Sequence, residues 1–269
     1  MYAFEPDGAN RARLEARFGS HPEIVIDARA VSETACDEAP FFASPESTGI
    51  SSLSAFRDSH RAIGTVTTTT IDQAVRQYGI REIDFLKIDA EGYDLMVLKG
   101  VPWETLRPAV VVCEFEDRKT LPLGYCFHDM AQYLQDRSYH VWVSEWHPVM
   151  RYGIRHDWRR LVRYPCHLAS GDAWGNLIAF RQAPPEESLR GAAAVVWGVS
   201  VPRSQKGASR GASDPMAKSQ VPLMQMAKYS LHYLVANYLQ RKHPAITQIA
   251  RSAVFRLRAT RAAFRRWTL

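Results

Sequence analysis

Residues 85–100 read FLKIDAEGYDLMVLKG, and this stretch gives the clearest indication of the architecture. An apolar run ends at an acid, Asp89, a second acid follows at Glu91, and a short helical pattern ends at Gly100. Near-continuous apolar runs are typical of strands that are buried on both faces of a sheet. A strand that leads through a short turn into a helix predicts one unit of an α/β domain.

The rest of the first 182 residues repeats this alternation. β-Branched and aromatic runs predict strands, and segments with apolar residues along one face predict helices. We therefore predict an α/β fold with a mostly parallel sheet that carries helices on both faces. Two stretches interrupt the pattern: a polar, irregular insertion at 33–63 and an aromatic and basic insertion at 146–165.

Charge divides the chain into two parts. Residues 1–184 carry 20 basic and 25 acidic side chains, whereas residues 185–269 carry 14 basic and 3 acidic ones. The strand–helix alternation also stops after residue 182. We predict a domain at 1–182, a linker rich in Pro, Gly, Ser and Ala at 183–222, and a basic helical tail at 223–269.

Three interpretations of the basic tail stay open. Arginines mixed with Phe and Trp at helical spacing are typical of a helix that lies on an anionic membrane. The same charge suits a partner protein or an anionic glycan. The third interpretation is a solvated helix that packs on the domain. We do not expect a nucleic-acid partner, because the domain is acidic and no recognition motif is present.

The composition favours the cytoplasm, with peripheral membrane association through the tail as an addition. No run of about 18 apolar residues predicts a transmembrane helix, and residues 1–8 lack the basic flank and apolar core of a signal peptide. The cysteines are irregularly spaced and form no CxxC pair, which predicts neither disulfides nor a zinc site. They are Cys36, Cys113, Cys126 and Cys166.

Acidic residues stand at the ends of three predicted strands. Glu5 ends the first, Asp89 and Glu91 end the one at 84–89, and Glu114 and Glu116 end the next. Ligands of open α/β sheets bind outside the carboxyl ends of the strands. We therefore expect these carboxylates to face a cleft for a cofactor and a substrate.

Five segments in consistent order resemble the FkbM family of S-adenosylmethionine-dependent methyltransferases. They are YAFEP at 2–6, ARAVSE at 28–33, TGISSL at 48–53, TTTTIDQAV at 67–75, and residues 85–100. The last is the most specific, since a strand, Asp, x, Glu, Gly and a helix at this spacing is the family hallmark. The resemblance covers roughly residues 1–182 and implies a class I methyltransferase fold, S-adenosylmethionine as cofactor, and an oxygen acceptor on a sugar or natural product.

The resemblance also implies roles for individual residues. Glu5 would bind the cofactor ribose, and Ala30 and Val31 would lie against its adenine. Asp89 and Glu91 would stand near the transferred methyl group and the acceptor, with Asp89 also contacting the cofactor. Ser51 and Ser52 would line the cleft.

One family feature is not found in this sequence. The family begins with a strand and glycine loop of the form VDVGANxG, but this chain begins inside the motif written VYAFEP, with Met1 in the place of the valine. We expect the first strand of the sheet to be missing, and we hypothesise that a valine codon was taken as the start.

Several candidates for the proton acceptor stay open. Methyl transfer to a hydroxyl requires a group that takes its proton, and Asp89, Glu91 and His128 are the candidates. Each acid also has a structural interpretation: Asp89 could cap the N-terminus of a helix, and Glu91 could stabilise the first helical turn through its charge. The alternative for the histidines is an ordinary surface position without a role in substrate binding; they are His128, His147 and His156. The sequence requires no metal ion, although two acids near a hydroxyl could bind one.

Some aromatic and polar side chains have two interpretations each. Four tryptophans could stack on a sugar ring, or they could belong to the core or to a lid. They are Trp142, Trp146, Trp158 and Trp174. Asn176, Glu114 and Glu116 suit substrate binding as well as turns and strand ends. From all of this we predict an S-adenosylmethionine-dependent O-methyltransferase that acts on a sugar hydroxyl of a glycan, lipid-linked saccharide or natural product. The alternative is a truncated, inactive relative that docks through its basic tail.

Overall fold

The computed structural model describes residues 1–150 and 156–197. The chain divides into two units, Met1–Ala183 and Pro184–Leu269. The first unit contains every described strand and five of the six described α-helices. The predicted basic tail at 223–269 lies outside the described residues, as does the predicted linker beyond residue 197.

A five-stranded sheet is the centre of the first unit. Its strands are β7 (Phe85–Lys87), β8 (Val110–Glu116), β9 (His140–Trp146), β10 (Trp158–Arg163) and β11 (Trp174–Phe180). They lie in the order β10-β9-β11-β8-β7, and only β7 and β8 run parallel. β8 reads VVVCEFE and is almost wholly buried, as its apolar run predicts.

Two smaller sheets precede the central one in the chain. A parallel pair is formed by β1 (Tyr2–Phe4) and β2 (Val25–Asp27). Four further strands pair in the order β3-β6-β4-β5. They are β3 (Ala30–Val31), β4 (Cys36–Ser44), β5 (Ser47–Ser52) and β6 (Arg61–Thr69).

Capping residues explain where the first two helices begin and where the second of them ends. Asp7 caps α1 (Gly8–Phe18) by accepting two backbone N–H groups. Thr70 caps α2 (Ile71–Tyr78), which ends at Gly79 with φ 63°. The other helices of the first unit are α3 (Asp94–Lys99), α4 (Asp117–Thr120), a 3₁₀ turn at Leu121–Leu123, and α5 (Phe127–Gln135).

The main core lies between the central sheet and helices α3 and α5. Side chains two residues apart on β8 face these helices, which matches the two-residue period of a strand. The fully buried members include Leu98, Val111, Phe115, Phe127, Met130 and Leu134. This core fixes the end of β8 relative to the turn that follows β7.

The prediction of a mixed α/β fold is confirmed, but a single mostly parallel sheet is not what the described residues form. Five of their eight strand pairings are antiparallel. Among the described residues no helix lies between β9, β10 and β11, and each of these strands pairs antiparallel with its neighbour. The aromatic insertion therefore contributes β10 to the central sheet.

The polar segment at 33–63 is also more regular than expected. It forms β4, β5 and the start of β6, although Pro40 lies within β4, which pairs on both sides. Register shifts on both sides of Pro40 accommodate a residue that cannot donate a ladder hydrogen bond.

Part of the predicted linker is helical. α6 (Glu186–Trp197) begins with two glutamates and continues through three alanines, and Glu186 pairs with Arg190 at 2.6 Å. Acids in the first turn and alanines in the middle favour a helix, which explains the difference. None of the described helices is both long enough and apolar enough to cross a bilayer.

Candidate active site

The turn after β7 has an unusual backbone that presents Glu91 to the end of β8. Glu91 and Gly92 have φ angles of 50° and 95°. A Cβ atom on Gly92 would lie 3.0 Å from the Cβ of Lys119, so only glycine fits closely there. The hydroxyl of Tyr125 donates to the Gly92 carbonyl at 2.5 Å and fixes the turn.

Lys119 is the centre of a carboxylate cluster at this edge of the sheet. Its ammonium nitrogen lies 2.7 Å from Glu91 Oε2, 2.8 Å from Glu114 Oε2 and 3.1 Å from Glu116 Oε2. Only 3% of Lys119 is exposed. A buried ammonium is stable only where carboxylates or other acceptors surround it, and this one lies between the turn after β7 and the end of β8.

Asp94 ties the same two elements together through backbone hydrogen bonds. It is fully buried, and its Oδ1 accepts the Glu114 N–H at 2.9 Å while its Oδ2 accepts the Ala90 N–H at 3.3 Å. Burial, followed by the charges of Glu114 and Asp89, raises the pKa of Asp94 to about 7.

The electrostatics of the cluster favour protonated carboxyl groups. Burial, followed by the charge of Glu114, raises the pKa of Glu91 to about 8, although Lys119 acts in the opposite direction. Burial also raises the pKa of Glu114, again against the effect of Lys119. A carboxyl group with a pKa near the working pH is suited to exchange protons with a bound hydroxyl.

Asp89 is the most accessible acid of the cluster. Its side chain is 44% exposed, and its Oδ2 lies 3.2 Å from the Lys87 ammonium nitrogen. Burial opposes the charge of Lys87, but the carboxylates of Asp89, Asp94 and Glu114 raise its pKa overall. Asp89 does not cap a helix, because α3 begins at Asp94, five residues later.

The segment that follows β4 closes over the cluster from another side. Ser52 Oγ donates to the Glu91 carbonyl at 2.9 Å, and the Lys119 ammonium lies 5.5 Å from the centre of the Phe56 ring. Ser51 Oγ donates to Asp7 Oδ2 at 3.3 Å. The serine motif therefore contacts the acidic turn through Ser52 and the start of α1 through Ser51.

Glu5 follows β1, and few of its carboxylate's hydrogen-bonding positions are used by the described residues. It is partly buried, and within the described residues the only hydrogen bond to its carboxylate comes from the Asp7 N–H, at 2.9 Å. Burial raises its pKa. By contrast, Asp27 at the end of β2 is fully engaged by Arg29 and by Tyr78, whose hydroxyl donates at 2.7 Å.

The structure places the remaining predicted residues as follows. Ala30 is buried and Val31 half-buried in β3, which pairs with Thr68 and Thr69. His128 is exposed at the start of α5, and its contacts among the described residues are with Phe127, Tyr164 and His167. These contacts do not include the carboxylates of the cluster.

An aromatic row adjoins the carboxylates. Trp174 pairs with Glu116 of β8 on one side and with Trp146 of β9 on the other, so the three residues lie across the sheet in register. The two indole rings are 5.5 Å apart, and His156 packs edge-on to Trp174 at 5.4 Å. His147 lies beyond this row, and its Nδ1 accepts a hydrogen bond from the Arg159 guanidinium at 3.0 Å.

The carboxylates of Asp89, Glu91 and Glu114 lie within 4.8 Å of one another, a spacing at which a cation could be shared. However, the Lys119 ammonium already supplies a positive charge between Glu91 and Glu114. We therefore assign no metal to this cluster.

The acidic groups of the site lie at the carboxyl ends of strands, where proteins with open α/β sheets bind their ligands. Residues 1–141 match the model of the methyltransferase FkbM domain. The chain therefore belongs to the FkbM methyltransferase family. Neither a curated protein nor a solved structure matches it.

Proposed function

We propose that the protein is an S-adenosylmethionine-dependent O-methyltransferase. The observation that supports this most directly is the cluster at the carboxyl ends of β7 and β8, where the accessible Asp89 adjoins the buried Glu91, Glu114 and Lys119. Its acids lie where ligands of α/β sheets bind, and two of them have pKa values raised by burial.

The residues present fit the proposed cofactor. The Glu5 carboxylate, with one hydrogen bond from the described residues, is suited to accept both ribose hydroxyls. Ala30 and Val31 offer apolar surface for the adenine at the start of the neighbouring sheet. S-adenosylmethionine, when bound, would supply an electrophilic methyl group.

The protein's own residues would orient the acceptor and receive its proton. Asp89 is exposed enough to accept a hydrogen bond from the acceptor hydroxyl. As the oxygen formed its new bond to the methyl carbon and that carbon's bond to sulfur broke, the hydroxyl proton would pass to Glu91 or Asp89. Most of the rate would come from orientation of the two reactants, and His128 would act only at the outer edge of the substrate region.

The aromatic row supports a sugar hydroxyl as the acceptor. Trp174 lies next to Glu116 across the sheet and is half-buried, so part of its ring faces solvent. Indole faces pack well against the apolar face of a sugar ring. A sugar stacked there would have its hydroxyls within reach of the carboxylate cluster.

The direct test is a calorimetric titration of S-adenosylmethionine into the full chain and into Glu5→Gln. We expect the parent chain to bind and the variant to bind at least about tenfold more weakly, since two hydroxyls lose a charged acceptor. Glu104→Gln is the matched control, because Glu104 is exposed and distant in sequence from the site. If the parent chain does not bind the cofactor, the proposed function is wrong.

A further inference from the structure

Lys119 has a role in the cluster that the proposed function alone does not define. We propose that Lys119 positions Glu91 and Glu114 for proton transfer by sharing its ammonium group between them. This inference rests on the proposed methyl transfer for its purpose, but the positioning itself is a property of the free protein. Lys119 is therefore a positioning residue, which acts on the acceptor's proton only through the glutamates.

The burial of Lys119 shows that its charge is held in place. Its Cβ packs against Gly92, and Phe56 lies over its ammonium group. Moving an ammonium out of water is costly unless acceptors replace the water. Here Glu91, Glu114 and Glu116 replace it, all within 3.1 Å.

Lys119 joins carboxylates that come from different elements. Glu91 belongs to the turn after β7, Glu114 to β8, and Lys119 itself to α4. Glu114 Oε2 and Glu91 Oε2 each accept from the same nitrogen, at 2.8 and 2.7 Å. Without this ammonium, the two carboxyl groups would lose the donor that they share, and they could not both stay ionised so close together.

Acidic groups exceed basic groups around Lys119, so its charge has a large effect on their protonation. The other charged groups of the elements packed here are Asp89 and Lys87 from the end of β7, Asp94 from α3, Glu116 from the end of β8, and Asp117 and Arg118 from α4. On the segment between β5 and β6, Arg57 pairs with Glu46, and His60 hydrogen-bonds to the Ile50 carbonyl. Since six carboxyl groups accompany three cations, removal of Lys119 would raise the pKa of Glu91 and of Glu114 still further.

The experiment compares carboxyl titrations by ¹³C NMR in the parent chain, Lys119→Met and Lys119→Arg, without cofactor. We expect Lys119→Met to raise the pKa of Glu91 and of Glu114 by about one unit or more, because an adjacent cation is lost. Lys119→Arg should restore most of the shift. Lys99→Met is the matched control, since Lys99 is exposed and pairs with Glu33 at 3.6 Å; it should leave both titrations unchanged.

Unchanged titrations of Glu91 and Glu114 in a folded Lys119→Met variant would overturn the proposal. If Lys119→Met does not fold, Lys119→Gln replaces it, because its amide still donates a hydrogen bond but carries no charge. The pKa of Glu91 and of Glu114 should again rise, and unmoved titrations in Lys119→Gln would overturn the proposal.

Cofactor binding separates this inference from the proposed function. If the parent chain binds S-adenosylmethionine but the titrations do not move, the proposed function stands and the role of Lys119 is wrong. If the titrations move but the parent chain does not bind, the positioning stands and the methyl transfer is wrong. With an acceptor in hand, the acid limb of kcat/KM against pH should move upward by about one unit in Lys119→Met and return in Lys119→Arg.

Discussion

The carboxyl group of Asp94 joins the acidic turn to the neighbouring strand, since it accepts the N–H of Glu114 at 2.9 Å and that of Ala90 at 3.3 Å. One fully buried side chain therefore holds the Glu91 turn at a fixed distance from β8. The carboxylate geometry of the site depends on this contact.

We expect Asp94→Ala to lower the free energy of unfolding by about 1–3 kcal/mol, because it leaves two part-buried backbone N–H groups without acceptors. Asp94→Asn should cost less, since its amide oxygen still accepts one of them. Urea denaturation measures both. Asp58→Ala is the control, because Asp58 is exposed, and an Asp94→Ala variant as stable as the parent chain would contradict the expectation.

The raised pKa of Glu91 predicts how stability depends on pH. The folded state keeps a proton on Glu91 up to about pH 8, whereas the unfolded state releases it near 4.5. The free energy of unfolding is therefore highest below pH 4.5 as far as this group is concerned, and it falls as pH rises to about 8.

Glu91→Gln tests this pH dependence directly, since glutamine has no proton to release. Its free energy of unfolding should fall less steeply between pH 5 and 8 than that of the parent chain, by thermal or urea denaturation at each pH. Glu104→Gln, at an exposed position, should keep the parent slope. Identical slopes in the parent chain and Glu91→Gln would show that Glu91 is not the group responsible.

Gly92→Ala should destabilise the protein more than the same change at Gly124. Both glycines have positive φ angles, 95° and 82°, but only Gly92 would bring a Cβ against Lys119, at 3.0 Å. The shared backbone strain costs about 1–3 kcal/mol, and the difference between the two variants measures the contact with Lys119. Equal losses in urea denaturation would mean that the turn moves freely away from Lys119.

Ser52→Ala should cost about 1 kcal/mol of stability, since a nearly fully buried hydroxyl loses its bond to the Glu91 carbonyl. Ser51→Ala is the matched control, because Ser51 is less buried and its bond to Asp7 is longer, at 3.3 Å. Urea denaturation of the two variants provides the comparison. A larger loss for Ser51→Ala would place the main contact of this segment at α1 instead of the acidic turn.

The structure of residues 85–100 was predicted well from the sequence, because the local sequence pattern and the burial of the side chains favour the same elements there. The apolar run forms β7, the acids form the turn, and Gly100 follows α3. The start of α2 also has a local cause, since the Thr70 side chain accepts the Gln73 N–H and caps the helix. Serines and a proline concealed β4 and β5, because their pairing with β6 is a long-range contact that no local pattern reports.

Sequence reasoning identified the acids of the site but missed Lys119 and Asp94. A lysine three residues after Glu116 looks like an exposed side chain on a short helix, and its burial depends on the approach of Gly92 and Phe56 from elsewhere in the chain. The available signal was the run Glu114, Glu116 and Lys119 at a strand end. Asp94 was hidden because an acid in the first turn of a helix is ordinary.

Because the glutamates share the ammonium of Lys119, a substitution at one residue of the cluster changes the interactions of the others. A change that removes only the lysine leaves the glutamates without their shared donor, and a change that removes only one glutamate leaves the lysine with fewer acceptors. The effects of such changes cannot be added, because the residues are in direct contact. Lysine and one glutamate are therefore best exchanged together, both in redesign of this enzyme family member and in the natural drift of its sequence.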